Sequence, residues 1–592
     1  MCGICGEVNA NVRSTGPEVA AAMMSAMAER GPDAMGLFVQ GNAALGHRRL
    51  KIFDPSERSQ QPMADPRLGL AIVYNGAIYN YRELRAELAG KGYDFFSTGD
   101  TEVLLKAYHA WGSNCLERIN GMFAFAIWHR DTGEVFLARD RLGIKPLYYV
   151  PEPGRFRFAS TLPALLAGGD IDTEIDPAAL HHYMTFHAVV PAPRTLLKGA
   201  RKLSPGHTLR VKADGTAEAE APYWKLDLRP DPETSAYTEN DWRERTLVEL
   251  DRAVRRRQIA DVPVGVLLSG GLDSSLVAGL LARAGQTDLN TFSIGFESVG
   301  GERGDEFRYS DIVARHFGTA HHKIEVDAAR VLPSMEACVR AMSEPMVSHD
   351  CIGFFLLAEE VSKYLKVVQS GQGADEIFAG YHWYPPMLDA EDPLSTYAGV
   401  FFDGDHDDFA RAVHPRFVSE DFSRAFVAER FAALPHAPTP ADRALHLDTT
   451  VMLIDDPVKR VDNMTMARGL EARVPFLDHE LVEFAARIPA ELKIRDGGKF
   501  ILKEAARAVI PAEVIDRPKG YFPVPALKYF RGEYLAFVKD ILADSKVRDR
   551  EIFRSEYVDR VLAAPDAHIT PLGGSRLWQM ALLQYWLTVH GL

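Results

Sequence analysis

The chain has 592 residues, of which 47% are hydrophobic and 25% are charged. At roughly 100–200 residues per domain, this length predicts a globular protein of several domains. Its 67 basic and 81 acidic residues leave a net charge of −14, which argues against a general binder of nucleic acid or of anionic membranes. No run of about 18 apolar residues predicts a membrane span, and the first residues lack the pattern of a secretion signal. The five scattered cysteines do not predict a disulfide framework, so we expect a reduced, cytoplasmic protein.

Two groups of predicted elements divide the chain. In residues 2–219, apolar runs at 70–74, 123–128 and 134–138 predict strands, and residues 18–30 and 81–90 predict helices. Residues 220–240 are the predicted linker, because 227–240 has two prolines, many charges and no periodicity. From 241 to 592, a helix at 241–257 precedes a strand at 262–268 and a helix at 274–284, and strands recur at 289–295 and 366–370. This order predicts a parallel α/β domain with a helical C-terminal part and an insertion around 389–441, whose role stays open.

Cys2 follows the initiator methionine, so removal of Met1 would leave a thiol beside an α-amine. An α-amine has an ordinary pKa of about 7.7–8.0, close enough to neutrality to act as the general base of the thiol. A nucleophile and a base on one residue suit amide hydrolysis through a thioester. The alternatives are a small buried residue, or part of a CxxC redox or zinc site that lacks the second pair of zinc ligands.

Motifs further along favour the nucleophile. RGPDAMG (30–36), GHRRLKIFD (46–54), YNGAIYNYREL (74–84), STGDTEVLL (97–105) and ARDRLGIKPLYY (138–149) follow one another in this order. Together they resemble the class II glutamine amidotransferase domain, whose fold is an N-terminal-nucleophile αββα sandwich. The resemblance implies that Cys2 attacks the side-chain amide of L-glutamine and releases ammonia.

The same resemblance implies roles for residues near the nucleophile. Arg49 would hold the glutamine α-carboxylate with its planar fork, and Asp100 would pair with the α-ammonium. Asn75 and Gly76 would form the oxyanion hole. The other positions implied to bind glutamine are Leu50, Lys51, Ile52, Phe53 and Ala77. Ala77 departs from the usual Asn-Gly-Glu of the family, so one polar contact to glutamine is missing or comes from elsewhere.

A second chemical motif, VGVLLSGGLDSS (264–275), places a glycine-rich turn between a predicted strand and a helix. Ser269, Gly270 and Gly271 would let backbone N–H groups surround an anion at a helix N-terminus. A bare Gly-Gly turn would be ordinary turn chemistry, and no G-x-x-x-x-G-K pattern of a P-loop enzyme is present. The full SGGLDS resembles the pyrophosphate loop of ATP pyrophosphatases, which cleave ATP to AMP and pyrophosphate.

Downstream motifs extend this resemblance: SGQGADEIFAGY (370–381), VDNMTMARGLEARVPFLD (461–478), KFILKEA (499–505) and RPKGYF (517–522). From Cys2 to about Phe522 the chain resembles the asparagine synthase family. The resemblance implies ATP contacts from Leu268, Ser269, Gly270, Gly271, Asp273, Ser274, Ile294, Ser370 and Gly371. It also implies Mg²⁺ ligands at Asp273 and Asp375, and a catalytic Lys519 that stabilises charge during adenylation and amidation. The alternative role for Asp375 is a helix cap.

Three departures from asparagine synthetases concern the acceptor. Gln372 stands where those enzymes have a glutamate tied to handling the α-ammonium of aspartate. His349 and Asp350 replace part of an Ala-Asp-Pro segment, and Asn463 replaces a common arginine. A neutral amide suits an acceptor whose own amine is blocked. The segments SEPMVSHDC (343–351), VVQSGQGADEIFAGYHWYPP (367–386) and YMTFHAVVPAPRTLL (183–197) resemble the N-acetylglutaminylglutamine amidotransferases of this family, which make a neutral osmolyte. Asparagine synthetase, or amidation of another peptide or cell-surface acceptor, stays open as the alternative.

The sequence therefore predicts an α/β enzyme of two domains that uses L-glutamine, ATP with Mg²⁺ and an acceptor carboxylate. We expect no nucleic acid and no membrane as partners, and a homodimer stays open. A non-catalytic scaffold is disfavoured because Cys2, Asp273, Asp375 and Lys519 are all present.

Overall fold

The structure is a computed structural model that describes residues 2–11, 15–229, 231–296, 307–517 and 530–592. Its first half is built mainly from strands: β1 (Gly3–Asn9), β2 (Ala34–Gln40), β3 (Ala43–Arg49), β4 (Met63–Asp65), β5 (Leu70–Ile78), β6 (Gly121–His129), β7 (Val135–Arg139), β8 (Tyr148–Glu152), β9 (Arg155–Ala159), β10 (Arg201–Lys202), β11 (His207–Val211) and β12 (Ala221–Pro222). They form two antiparallel sheets, in the orders β10-β8-β9-β1-β3-β2 and β12-β11-β7-β6-β5-β4.

Helices cover the outer faces of these sheets. The helices of the first half are α1 (Glu18–Ala26), α2 (Tyr81–Gly90), α3 (Asp100–Trp111), α4 (Cys115–Arg118), α5 (Leu162–Ala167) and α6 (Pro177–Thr185). Helices α1 and α5 pack on the first sheet, and α2 and α3 pack on the second. Between the sheets, Ile4, Val73, Ala126 and Phe158 belong to one buried apolar layer. Because successive strand residues point to opposite faces, each sheet buries side chains on both sides, and the αββα sandwich is confirmed.

The predicted elements are present, with different ends. Strands β5 and β6 are longer than the predicted runs, because they pair along their whole length from Leu70 opposite His129 to Ile78 opposite Gly121. The predicted helix over 18–30 ends at Ala26, and Ala28–Arg30 form a 3₁₀ turn instead. Periodicity shows where a side chain is buried, but pairing and capping decide where an element ends.

The segment predicted as the linker is ordered at both ends. Strand β12 pairs with β11 in the second sheet, and helix α7 (Glu239–Arg256) begins before residue 241. A capping box explains this start: the Thr238 side chain accepts from Asp241 N, and the Asp241 carboxylate accepts from Thr238 N. The domain limits themselves remain a prediction.

A parallel sheet organises the second half. Its strands are β13 (Val264–Leu267), β14 (Asn290–Phe296), β15 (Ala320–Val326), β16 (Val367–Gln369) and β17 (Glu471–Arg473), in the order β15-β14-β13-β16-β17. Its helices include α8 (Leu272–Arg283), α9 (Phe307–Phe317), α10 (Val331–Ala341) and α11 (Asp350–Val361). The chain runs outward from β13 to β15 and returns to β16 on the other side of β13. The crevice at the carboxyl ends of β13 and β16 is therefore a topological switch point, where open α/β sheets bind ligands.

The rest of the second half is helical, as expected. It contains α12 (Ala374–Ile377), α13 (Pro393–Phe401), α14 (His406–Ala412), α15 (Phe422–Ala432), α16 (Pro440–Leu447), α17 (Lys459–Met466), α18 (His479–Arg487), α19 (Ala490–Ile494), α20 (Phe500–Ala506), α21 (Ala512–Ile515), α22 (Gly532–Ala543), α23 (Ser545–Asp549), α24 (Ser555–Ala563) and α25 (Arg576–Val589). Two π-helical turns, Asp448–Met452 and Ile454–Val458, lead into α17. No helix among the described residues is both long and apolar enough to cross a bilayer.

Buried ion pairs join the two halves. Lys202 of β10 lies 2.9 Å from Glu344 and 2.7 Å from Asp455. Asp462 of α17 lies 2.9 Å from Arg30 and 3.1 Å from Lys145. All six side chains are at most 6% exposed. We call these two groups the Lys202 cluster and the Asp462 cluster; in both, cations of the first half meet carboxylates of the second.

Two candidate active sites

Cys2 lies at the start of β1 and lines a small cavity. Its backbone N donates to Asn75 Oδ1 at 3.0 Å, and its side chain is nearly buried. Burial raises the pKa of the Cys2 thiol. The thiol therefore needs a base to take its proton before it can attack, as the α-amine hypothesis requires.

Asn75 of β5 is fully buried beside the nucleophile. Its Nδ2 has no hydrogen-bond partner among the residues that the structure describes. A buried donor without an acceptor costs free energy, which a bound acceptor would recover. A Cβ at the neighbouring Gly76 would lie 2.3 Å from Met122 O, so the backbone packs too closely there for another residue. Both features agree with a preformed oxyanion hole at Asn75 and Gly76.

Two charged residues predicted to bind glutamine line the same cavity. Arg49 is buried and donates to the backbone carbonyls of Ser56 at 2.9 Å and Asp54 at 2.6 Å, which fixes the guanidinium at the cavity wall. Asp100, at the first turn of α3, accepts from Tyr74 Oη at 2.8 Å and from Ile78 N at 3.1 Å. Burial raises the pKa of Asp100 to about 6, although these hydrogen bonds oppose the shift.

Of the other positions predicted to bind glutamine, three line the cavity and two do not. Leu50, Ile52 and Phe53 line the cavity. Lys51 and Ala77 are not among the described lining residues: Lys51 Nζ donates to Glu57 at 2.6 Å, and Ala77 is packed within β5 opposite Met122.

Sequence reasoning missed several lining residues, namely Ser59, Gln61, Tyr74, Thr101 and Glu471. Glu471 is notable because it belongs to β17 of the second half. Burial alone would raise its pKa, but the positive charge of the chain N-terminus, together with Arg473 and Lys145, outweighs burial and lowers that pKa to about 2. No motif predicted this contact, since the segment around 471 is separated from Cys2 by most of the chain.

The second site is a cavity of about 460 Å³ at the carboxyl ends of β13, β14 and β16. The predicted ATP residues that line it are Leu268, Ser269, Gly271, Asp273, Ser274, Ile294, Ser370 and Gly371. Gly270 has a φ of +73°, and a Cβ there would lie 2.5 Å from Ser310 N. A Cβ at Gly371 would lie 2.9 Å from Ser274 N, so glycine lets the loop after β16 approach the helix start.

Lys499 connects the two predicted metal ligands. Its Nζ lies 2.7 Å from Asp273 Oδ2 and 2.9 Å from Asp375 Oδ1. Burial alone would lower the pKa of Lys499, but the two carboxylates outweigh burial and raise it, so the ammonium stays charged. KFILKEA marked this segment as a motif, yet it did not show that the backbone turns at Lys499, where φ is 56°. Sequence reasoning therefore gave this residue no role.

Asp273 and Asp375 fit the expected Mg²⁺, because their carboxylates converge on one cation position beside the pyrophosphate loop. Among the described residues, no group of three or more His, Cys, Asp and Glu side chains could hold a metal ion. Mg²⁺ is commonly held by one or two carboxylates together with substrate phosphates. The fit therefore requires ATP to supply the remaining ligands.

The predicted acceptor residues lie at one side of the ATP cavity. Gln372 and Asp350 line it, together with Arg460 of α17, which sequence reasoning missed. Arg460 lies 3.1 Å from Asp456 and 3.9 Å from Asp350. Burial raises the pKa of Asp350 to about 6, although Arg460 opposes the shift. His349 precedes α11 and is not among the described lining residues.

Lys519, the predicted catalytic lysine, lies outside the described residues. Arg517, the last described residue before it, lines the ATP cavity. The role of Lys519 therefore remains a prediction.

Comparison with protein-family models assigns both halves. Residues 1–224 match a glutamine amidotransferase domain, and residues 246–588 match asparagine synthase. The chain belongs to the asparagine synthase family. It is accordingly a glutamine-hydrolysing ligase that forms carbon–nitrogen bonds.

Several proteins are similar to this chain over most or all of its length. A Mycobacterium tuberculosis protein whose name contains the words asparagine synthetase is 34% identical over 99% of this chain and 97% of its own length. The glutamine-hydrolyzing asparagine synthetase 1 of Bacillus subtilis is 30% identical over 100% of this chain and 97% of its own. Amidase chyE of Penicillium rubens is 27% identical over 88% of this chain and 86% of its own. A solved glutamine phosphoribosylpyrophosphate amidotransferase from B. subtilis covers 51% of this chain and 68% of its own at 18% identity, with a TM-score of 0.29 that is too low to carry an argument.

Proposed function

We propose that the first cavity hydrolyses L-glutamine and that the second cavity uses the ammonia to amidate a carboxylate activated by ATP. The carrying observation is that one chain holds both a buried cysteine beside an available amide donor and a glycine-rich loop facing Asp273, Asp375 and Lys499. The proposal also covers the use of Mg²⁺ and a cytoplasmic location.

In the first cavity, Cys2 Sγ attacks the side-chain amide carbon of glutamine and passes its proton to the α-amine that follows removal of Met1. The developing oxyanion accepts hydrogen bonds from Asn75 Nδ2 and from the backbone at Gly76. The protonated α-amine then donates to the leaving nitrogen, so that ammonia departs and a thioester remains. Water hydrolyses the thioester to glutamate and restores the thiol.

In the second cavity, an acceptor carboxylate oxygen attacks the α-phosphorus of ATP and pyrophosphate leaves. Mg²⁺, held by Asp273 and Asp375, would neutralise phosphate charge. Backbone N–H groups of 269–271 hold the phosphates at the N-terminus of α8, and Lys499 fixes the two carboxylates at the loop. Ammonia then attacks the acyl carbon of the adenylate and AMP leaves; Lys519 would stabilise the charge of that step.

The acceptor that we propose is N-acetylglutaminylglutamine. Among the described residues that line the ATP cavity, each carboxylate already has a cation beside it: Lys499 for Asp273 and Asp375, and Arg460 for Asp350. Gln372 adds a neutral amide. A substrate α-ammonium placed there would lack a dedicated counter-ion, whereas an acetylated amine needs none.

Asparagine synthetase is the second candidate, since relatives that match the whole chain carry that name. For that reaction, Asp350 would have to leave Arg460 and receive the α-ammonium of aspartate. Another peptide or a cell-surface acceptor is the remaining alternative.

The deciding experiment supplies glutamine, ATP and Mg²⁺ with either aspartate or N-acetylglutaminylglutamine. We expect AMP and pyrophosphate in equal amounts with the amidated dipeptide, identified by mass spectrometry, and little asparagine. Formation of ADP and phosphate would contradict adenylation. Efficient asparagine formation would select the second candidate.

A further inference from the structure

Helix α17 contacts both candidate sites through opposite faces. Arg460 lines the ATP and acceptor cavity, whereas Asp462 forms the Asp462 cluster with the first half. Two residues along a helix of 3.6 residues per turn lie about 200° apart, so one short helix presents the two side chains in nearly opposite directions.

The Asp462 cluster leads to the nucleophile. Arg30 NH1 (one terminal nitrogen of the guanidinium) lies 2.9 Å from the Asp462 carboxylate, and Arg30 Nε donates to the backbone carbonyl of Cys2 at 3.4 Å. Lys145 holds the second Asp462 oxygen at 3.1 Å. Burial alone would raise the pKa of Asp462, but Arg30 and Lys145 outweigh burial and lower it, so the carboxylate stays charged. A displacement of Asp462 would therefore move Arg30 and, through Arg30, the backbone of Cys2.

The segment that leads into α17 is not a regular α-helix. The chain enters it through two consecutive π-helical turns, and Pro457 lies in the second of them. Pro removes a backbone donor, and π turns are under-wound segments found frequently at functional sites. Such a segment can change its winding while the helix after it moves as a unit.

We propose that α17 couples occupancy of the acceptor cavity to glutamine hydrolysis, and that Asp462 is the positioning residue of this coupling. The inference rests on the proposed function, in which the acceptor lies beside Arg460. An acceptor that engages Arg460 shifts α17, and the Asp462 cluster follows. Arg30, which holds the backbone carbonyl of Cys2, then brings the Cys2 thiol into the geometry for attack. Hydrolysis is then slow until an acceptor is present to receive the ammonia.

The test measures glutamate release by the full-length protein at saturating glutamine, with and without Mg²⁺, ATP and the acceptor that the deciding experiment selects. We expect the wild type to hydrolyse glutamine at least about fivefold faster with the complete set, the lower end of common coupling between sites. In Asp462→Asn, the ratio of the rate with the complete set to the rate without it should be about one. This variant should release glutamate in excess of amide product and should retain synthesis from ammonium salts.

Glu344→Gln is the matched control, because it removes one carboxylate from the equally buried Lys202 cluster, which does not contact Cys2, and because Glu344 lies outside α17 and the two π-helical turns before it. It should keep the wild-type ratio. Arg30→Lys decides the matter if Asp462→Asn does not fold: it keeps a cation opposite Asp462, but one ammonium cannot span from that carboxylate to the Cys2 carbonyl. It should also lose the stimulation.

The proposal is overturned if the wild type hydrolyses glutamine equally fast with and without Mg²⁺, ATP and acceptor. It is also overturned if a folded Asp462→Asn variant, or Arg30→Lys, keeps the stimulation that the wild type shows. An equal loss of stimulation in Glu344→Gln would reduce the Asp462 cluster to a structural role and would also overturn the proposal. Failure of the proposed function is distinguishable, because the wild type would then form no amide from ammonium salts with either aspartate or N-acetylglutaminylglutamine.

Discussion

At the scale of single residues, the two polar atoms of the Asn75 side chain have different functions in the proposed mechanism. Its oxygen accepts from Cys2 N, which orients the start of β1, and its nitrogen is left for the substrate. An aspartate there would keep the first contact and lose the second. In the proposed mechanism, one side chain thus orients the nucleophile and completes its oxyanion hole.

Cys2→Ala should abolish glutamine hydrolysis but leave amide synthesis from ammonium salts, because the ATP cavity contains none of the groups that attack glutamine. Glutamate release and amide formation are measured separately. Cys5→Ala is the matched control: Cys5 lies on the same strand, is fully buried and does not line the cavity. Normal hydrolysis by Cys2→Ala would show that the nucleophile lies elsewhere.

The pKa of Asp100 sets a pH limit for glutamine. Since burial raises that pKa to about 6, the carboxylate is charged above this pH and protonated below it. A neutral carboxyl cannot pair with the glutamine α-ammonium. Glutaramate, which is glutamine without its α-amine, does not need this pairing but depends equally on the α-amine of Cys2 as general base. Below pH 6 the ratio of kcat/KM for glutamine to kcat/KM for glutaramate should therefore fall about tenfold per pH unit. A ratio that stays constant below pH 6 would trace the limit to another group.

Gln372→Glu should lower kcat/KM for the acetylated dipeptide by at least about tenfold, which needs only about 1.4 kcal/mol. The reason is that the new carboxylate would face an acceptor without an ammonium group. Gln372→Met, of similar size but uncharged, should lose less. Equal losses in the two variants would mean that shape, not charge, matters at this position.

At the scale of elements, the pyrophosphate loop depends on a left-handed backbone at Gly270. Gly270→Ala would add both conformational strain and a Cβ only 2.5 Å from Ser310 N. We expect it to abolish ATP-dependent synthesis and to leave glutamine hydrolysis without acceptor intact. Gly285→Ala is the control, because Gly285 also has a positive φ, of +89°, but open space around it. Synthesis lost equally in both variants would point to strain alone.

Sequence motifs predicted the elements and residues whose function is local. The strand, loop and helix around SGGLDS, and the Asn75–Gly76 pair, could be predicted because each of them lies within one short segment of the chain. Lys499 was missed because it reaches Asp273 across 226 positions of the chain, and Glu471 was missed because it meets Cys2 only after β17 joins the sheet. Contacts of this kind depend on tertiary packing, which periodicity and spacing do not encode.

At the scale of the whole molecule, the halves share their apolar cores. One buried cluster contains Tyr79 and Leu142 of the first half with Val474 and Leu477 of the second. Another contains Met24 and Leu180 with Phe355 and Met464. Neither half can therefore expose its side of these clusters without disturbing the other.

We expect thermal unfolding to occur as one cooperative transition, because separating the halves would expose shared apolar surface and unpaired buried charges. Differential scanning calorimetry should show a single peak. Cleavage by a protease between 231 and 238 should leave two fragments that elute together in size-exclusion chromatography. Two resolved peaks, or fragments that separate, would show that the halves are independent bodies.

The charges buried between the halves also constrain how such a protein can change by recombination. A foreign glutaminase grafted in place of residues 2–219 would bring its own surface against Glu344, Asp455 and Asp462, while Arg30, Lys145 and Lys202 would be lost. Each buried charge left without its partner costs about 3–5 kcal/mol, which approaches the whole stability of a typical domain. A graft of this kind must therefore supply new partners for Glu344, Asp455 and Asp462 or replace these residues with it, so the unit that can be exchanged is larger than the domain.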